Sequence, residues 1–597
     1  MNADKNLSDS NLERRASLVI TSAAMNALAP VRERGSRYLA ALRMTILLSC
    51  ALFVPLLLHA GQNAASDLDL YGGCRDLKAP GGATGYFRLA RAGSRWVFTT
   101  PEGNAFWLRS VYGVSLYDGG EMLERSVKWK YRSPSVPWEP YVAHAVQRLR
   151  GWGFNALGEY TSEYALPLGT YGRPNGNSER MPFIRLIRPS RYSITSGQVK
   201  SIIAGLDATI YTGWRGGQFP DVFAPAYAAF AQALARDAVD APVFTTPPDN
   251  SPWLVGTSVD DADELYGFGP EPDLMPDHYH FHLGWAAAVT APMQLTNPDN
   301  HRPYADTRVY TKYAFRDFLR EKYKTIAALN AVWNARYTTW DSDGGWPLGK
   351  GVLDESGRGP WMGKDCDQLT DVSAQVRADL DDFLERLADR YFATVAEAVR
   401  ASSPHHMVFG PAAIAAASRP QILRAAGRHL DVVQVWAPPN RLELLQRAYA
   451  LSGKPLFVWT TFNAQPDSPL VGNSGWEGGY DLPTQEARGQ AYAAYLHSLL
   501  SLHAAADGMY PMLGIDWWAW TDKVVGGENT DFGLVDYHDN AYDGKEDRRA
   551  ASQDAFGLPT GGEIRDYGNF LGMVTQANQN VCNTLRQEWN AGKPGGK

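Results

Sequence analysis

Residues 508–536 read GMYPMLGIDWWAWTDKVVGGENTDFGLVD. Positions 509–515 form an apolar run of strand length. Asp516 and the aromatic cluster Trp517-Trp518-Ala519-Trp520 follow directly, then a glycine-containing loop with Asp522, Glu528 and Asn529. A short apolar run without alternation predicts a strand buried on both faces, as in a parallel sheet covered by helices. The aromatic and polar groups then gather at the C-terminal end of that strand.

Working outward, seven more runs have the same character: 106–115, 153–159, 181–187, 253–260, 406–411, 431–436 and 455–461. Most are separated by segments of helical period, at 141–152, 222–237, 310–322, 325–332, 372–401, 420–426, 441–451 and 484–504, with a closing helix over 562–585. Strand alternating with helix predicts a parallel α/β fold. Eight units predict a closed (β/α)8 TIM barrel rather than a doubly wound sheet, and no glycine-rich phosphate loop follows the first strand. Before the barrel, 66–105 alternates in short stretches broken by Pro101-Glu102-Gly103-Asn104, the pattern of a β-hairpin extension. Long inserted loops, 266–308 and 341–370, come after the fourth strand. The expected division is therefore 1–65 as an N-terminal extension, 66–105 as the hairpin and 106–590 as the barrel.

The extension contains an apolar stretch of about 15 residues starting at Met44, preceded by several arginines and followed by small residues. It is short for a membrane span and contains Pro55. Two alternatives stand: a cleaved secretory signal, with Met1 or Met44 as the start, or an uncleaved anchor at 44–60 in the inner membrane. Either exports the body to the periplasm or beyond. Membrane contact is expected only through that anchor.

The 597 residues carry a net charge of −7, although the first 60 hold seven Lys/Arg against four Asp/Glu, so the remainder carries −10. An acidic body argues against a nucleic-acid partner. The four cysteines, Cys50, Cys74, Cys366 and Cys582, match no zinc spacing. A closed barrel brings its two ends together, so Cys74 and Cys582 are the expected disulfide, with Cys366 free. The run DHYHFH, Asp277 to His282, has alternate histidines but no second ligand cluster, and no metal or other cofactor is expected.

The chemistry at the strand ends points to sugars. Indole faces stack on the apolar faces of sugar rings, and carboxylates and amides take hydroxyls. Candidates for sugar binding are Asn155, Trp436, Trp459, Asp516, Trp518, Asp522 and Asn529. Glu159 also ends the second strand, where a surface or capping charge is an equal reading.

Several pieces resemble one group of enzymes. The segment RLRGWGFNALG at 148–158 resembles the second strand of clan A glycoside hydrolases. The segment FLREKYKTIAALNAVWN at 318–334, with Tyr337 and Trp340, is similar to the part after the fourth strand in families 42 and 50, the β-galactosidase and β-agarase families. The opening stretch resembles the eighth strand and loop of family 50. The resemblance implies two carboxylates across a glycosidic bond, one protonating the leaving oxygen and one attacking or activating water. It implies an acid Glu at the end of the fourth strand. Here that strand ends VDDADEL, and an ungapped match puts Ala262 at the Glu position. A two-residue shift selects Glu264, with Asp261 and Asp263 as rivals. The nucleophile Glu is implied at the end of the seventh strand, which instead reads Trp459-Thr460-Thr461. A second carboxylate must then come from elsewhere, with Glu528, Asp516 and Asp522 as candidates, or the barrel binds glycan without cleaving it. The expected function is hydrolysis of a β-linked saccharide; the alternative is a glycan-binding barrel in envelope or exopolysaccharide handling. Oligomeric state is not legible.

Overall fold

The computed structural model describes residues 67–162, 180–189, 221–237, 251–260, 294–296, 303–308, 310–345, 349–354, 373–411, 413–414, 419–461, 463–467, 481–523, 530–545 and 566–591. The N-terminal part is a four-stranded antiparallel sheet of β1 (Cys74–Lys78), β2 (Arg88–Ala92), β3 (Arg95–Thr99) and β4 (Asn104–Phe106), in the order β1-β4-β3-β2. The sequence suggests one hairpin here. The structure adds two short edge pairings around it, because strands of three to five residues alternate too briefly to be read.

The barrel follows. Its strands are β5 (Leu108–Val111), β6 (Ala156–Leu157), β7 (Phe183–Ile187) and β8 (Leu254–Val259). A small antiparallel pair, β9 (Gln294–Thr296) and β10 (Pro303–Arg308), lies in the insertion. Then come β11 (Met407–Phe409), β12 (Ala413–Ile414), β13 (Val433–Trp436), β14 (Leu456–Thr461) and β15 (Met512–Trp517). The order around the sheet is β11-β8-β7-β6-β5-β15-β14-β13-β12, and every pairing is parallel.

These are eight barrel strands, because β11 and β12 are two halves of the fifth. The first half pairs with β8 and the second with β13, and a bridge from Phe409 to Val432 helps close the ring. The break falls at Gly410-Pro411, a cis peptide. Proline has no N–H to give to a neighbouring strand. Gly410 has φ of 132°, and a side chain there would meet the Val259 carbonyl oxygen at 2.9 Å.

Helices cover the barrel: α1 (Gly120–Lys130), α2 (Trp138–Gly151), α3 (Pro225–Asp237), α4 (Tyr310–Tyr323), α5 (Ile326–Trp333), α6 (Ala374–Ser402), α7 (Pro420–His429), α8 (Glu443–Ser452), α9 (Gln485–Ser501) and α10 (Phe570–Ala591). In α2 the buried positions Tyr141, Val142, Ala145, Val146 and Leu149 make one face at helical spacing. The long α6 starts at Ser373, whose hydroxyl accepts from the Val376 N–H at 3.2 Å. Its fully buried Asp379 gathers Lys322 at 2.7 Å, the Trp333 indole at 2.6 Å and the Tyr323 hydroxyl, which docks α4 and α5 onto α6.

Cys74 in β1 and Cys582 in α10 form a disulfide across 508 residues of sequence, with Cα atoms 5.8 Å apart. Ion pairs from Arg586 to Asp76 at 2.7 Å and from Arg95 to Glu588 at 2.7 Å join the same two parts. Cys366 and the DHYHFH run lie outside the described residues. Among the described residues no helix is long and apolar enough to cross a membrane.

Candidate active site at the barrel mouth

The interior of the barrel near its C-terminal end is polar. Glu159, just past β6, accepts from the Gln434 carboxamide of β13 at 3.0 Å and from the Trp459 indole of β14 at 3.1 Å. The sheet order places β13 four strands away from β6, so the Glu159–Gln434 bond crosses the lumen. Ser258 of β8 donates to the Gln434 carbonyl oxygen at 2.6 Å. Asp516 of β15 accepts from Ser110 of β5 at 2.5 Å, and these two residues face each other in register.

Glu159, Ser258, Gln434 and Asp516 thus come from the second, fourth, sixth and eighth strands. Barrel interiors are filled by such layers of four from alternate strands, normally with branched apolar side chains. Here the layer is polar and each member is at most 2% exposed. Gly158 leaves room for it, since a side chain there would meet the Asp516 carboxylate at 2.5 Å.

The two carboxyl groups are treated differently. Both Glu159 oxygens accept from N–H donors. Asp516 has one bonded oxygen, and its other oxygen is buried with no hydrogen-bond partner among the described residues. Burial pushes the Asp516 carboxyl well above the usual carboxylate range; the Ser110 bond works against that shift, and the nearby Glu159 charge adds to it. The two carboxyl groups thus sit in different surroundings, Glu159 with an N–H donor on each oxygen and Asp516 where burial disfavours its charge.

Above this layer the mouth is aromatic. Trp436 and Gln434, two apart on β13, share a face of the strand. Trp518 has Tyr112 edge-on at 6.3 Å and Phe532 at 5.2 Å. Tyr112 in turn lies 5.0 Å from Tyr160. These three rings follow β15, β5 and β6, which are neighbours in the sheet. The peptide between Trp518 and Ala519 is cis.

The other two tryptophans of the opening stretch are core. Trp517 packs on Tyr492 and Phe570 behind the sheet, and Trp520 lies against Trp152 and donates to the Tyr141 hydroxyl at 2.7 Å. Asp522 is used within the loop: one oxygen takes the Gly533 N–H at 2.8 Å and the other the Tyr542 hydroxyl at 2.7 Å. Asn155 sits four residues before Glu159, low in the barrel. Its amide oxygen takes the Arg109 N–H at 2.7 Å and its NH2 group gives to the Trp107 carbonyl at 2.9 Å, so its polar groups stitch β5 to β6. Glu159, rather than Asn155, is the second-strand side chain at the mouth.

On the fourth strand, Asp260 has φ of 64° and is buried with the Tyr391 hydroxyl of α6 donating to it. It points to the helix layer. Asp261, Asp263 and Glu264 follow it outside the described residues, as do Glu528 and Asn529. On the seventh strand the buried Thr461 hydroxyl has no hydrogen-bond partner among the described residues. Sequence reading missed Ser110, Ser258 and Gln434. Polar residues inside an otherwise apolar strand, Gln434 in VVQVW and Arg109-Ser110 in LRSVY, are the available signal, since buried polar groups need partners.

No protein-family model matches the chain. It is 23% identical over 519 residues to β-agarase B of Vibrio sp. (strain JT0107), covering 79% of this chain and 48% of that protein. Against β-agarase A of the same strain it is 23% identical over 421 residues, covering 66% of this chain and 34% of that one. The solved structure of an exo-β-agarase superposes with a TM-score of 0.60 at 20% identity, over 87% of this chain and 68% of that chain. The chain resembles the β-agarases, glycoside hydrolases of family 50. It spans about half the length or less of the curated agarases it matches. The structural likeness to the clan extends through the barrel and is a likeness of fold.

Proposed function

We propose that this chain is an exported β-glycosidase that cleaves O-glycosidic bonds of a β-linked poly- or oligosaccharide with paired carboxyl groups. The observation that carries the reading is the mouth itself, where an aromatic arc stands over a buried polar layer that includes Glu159 and Asp516. The clan resemblance supports the reaction class. Glu264, with Asp261 and Asp263 as rivals, supplies the proton to the leaving oxygen from the loop after the fourth strand. Glu528 of the loop after the eighth strand supplies the second carboxylate. Trp436, Trp459 and Trp518 provide faces for sugar rings, with Asp516 and Asn529 toward hydroxyls. The Cys74–Cys582 disulfide supports export, because such bonds persist in oxidising compartments.

A second reading, glycan binding without cleavage, is favoured by one specific observation. The seventh strand ends Trp459-Thr460-Thr461, and a threonine hydroxyl does not act as a glycosyl nucleophile in place of a carboxylate. The two readings separate on one experiment. The exported body is incubated with β-linked galactan and glucan oligosaccharides, products are followed by mass spectrometry and binding by calorimetry. Shortened products support hydrolysis. Binding with no product supports the second reading, and neither binding nor product ends both.

A further inference from the structure

The aromatic arc at the mouth has a cation at each end. Lys523, in the loop after β15, holds its ammonium 5.6 Å from the Trp518 ring centre. Arg188, directly after β7, holds its guanidinium 5.7 Å from the Tyr160 ring centre. Between them run Trp518, Tyr112 and Tyr160, so five side chains from four adjacent strand ends alternate as cation, three rings, cation. Lys523 is 17% exposed and lies 3.9 Å from Asp118, which joins the loop after β5 to the loop after β15. At the C-terminal end of α1, a surface cavity of about 570 Å³ is lined by Lys128, Trp129, Lys130, Arg132 and Ser133. The Trp129 side chain there is 57% exposed. Lys128 is paired with Glu124, and Lys130 reaches the Asp539 carbonyl and, at 3.6 Å, its carboxylate.

A neutral glycan needs ring faces and hydroxyl partners; from cations at the edges of the stacking surface it gains hydrogen bonds but no charge pairing. A glycan that carries carboxylate or sulfate groups gains both, because the charges project from the rim of the ring while its apolar face stacks. The chain beyond residue 60 carries −10, which repels a polyanion at long range, so binding one requires local positive charge where it docks. Accepting the reading that the mouth takes a glycan, we infer that its ligand is an anionic one, with uronate or sulfate groups seated against Lys523 and Arg188.

The test is a binding measurement that does not depend on cleavage. Calorimetry compares a β-linked mannuronate oligosaccharide with its carboxyl-reduced form, and a sulfated galactan with its desulfated form. The charged member of one pair is expected to bind about tenfold or more tightly than its neutral counterpart, with the preference shrinking as salt is raised. Which pair shows the preference names the anionic group. Lys523→Gln and Arg188→Gln should each reduce that preference, and Lys523→Arg should keep it, in variants whose melting temperatures match the parent. Equal binding of charged and neutral forms in both pairs overturns the inference, as does a preference untouched by both glutamine variants. Cleavage of neutral glycans alone would sink this inference and leave the hydrolase reading standing. Salt-sensitive binding of an anionic glycan without cleavage would do the reverse.

Discussion

The Gln434 side chain on the sixth barrel strand reaches across the lumen to Glu159 at the end of the second, with 3.0 Å between nitrogen and oxygen. Gln434 also accepts from Ser258 at 2.6 Å. One carboxamide therefore links three strands that are not neighbours in the sheet.

Replacing Gln434 by leucine removes both bonds and leaves the buried Glu159 carboxyl group short of a donor. The expected loss is about 1–3 kcal/mol, the cost of stranding a buried polar group. Urea unfolding of Gln434→Leu measures it, with Gln434→Glu as a second variant that sets two carboxylates together and should be no more stable. A midpoint equal to that of the parent in both would show that the layer contributes nothing to stability.

Asp516 gives a pH dependence of defined sign. Its folded-state pKa is raised by burial, so the folded state holds a proton that the unfolded chain releases near pH 4. Stability from this group is complete below that pH and is lost as pH rises toward its folded value, by up to about 1.4 kcal/mol per pH unit. Asp516→Asn keeps the shape without the titration. Its unfolding free energy should fall less than the parent's between pH 4 and neutral, and parallel curves would refute the assignment of a proton to Asp516.

The disulfide between Cys74 and Cys582 constrains almost the whole chain. Reduction, or Cys582→Ser, should cost about 2–5 kcal/mol, with the chain entropy of the unfolded state as the main term. Thiol titration of the oxidised, unfolded protein should find neither Cys74 nor Cys582 reactive. Their reaction without reductant would contradict the pairing.

For the proposed hydrolysis, Glu264→Gln and Glu528→Gln should each lower kcat by at least about a hundredfold, as removal of an acid–base group does. Glycan affinity should survive in Glu264→Gln. Unchanged turnover in both variants would discard both residues.

The barrel was legible because its strands are short apolar runs and its helices carry one apolar face each. That periodicity is a local property. The break in the fifth strand at Gly410-Pro411 was not read, although the proline without an N–H was visible. The mouth was legible in part. Trp518, Trp459 and Trp436 were selected with Asp516, but the same criterion placed Asn155 among sugar-binding residues and left Glu159 undecided. Polarity in a strand says that a partner exists and does not say where it is.

By itself the sequence determined the order of strands and helices, the acidic body, the apolar N-terminal stretch and the clustering of aromatic and carboxyl groups at strand ends. These follow from residue type and spacing along the chain. Only the tertiary structure decided which of those groups share a space. Closing the sheet brings Glu159 beneath Gln434 and Trp459 across hundreds of residues, puts Asp516 on Ser110, turns Trp517 and Trp520 into core, and ties Asp522 into its own loop. A carboxyl group takes its protonation and its role from burial and from the donors around it, and both are set by strand neighbours distant in sequence.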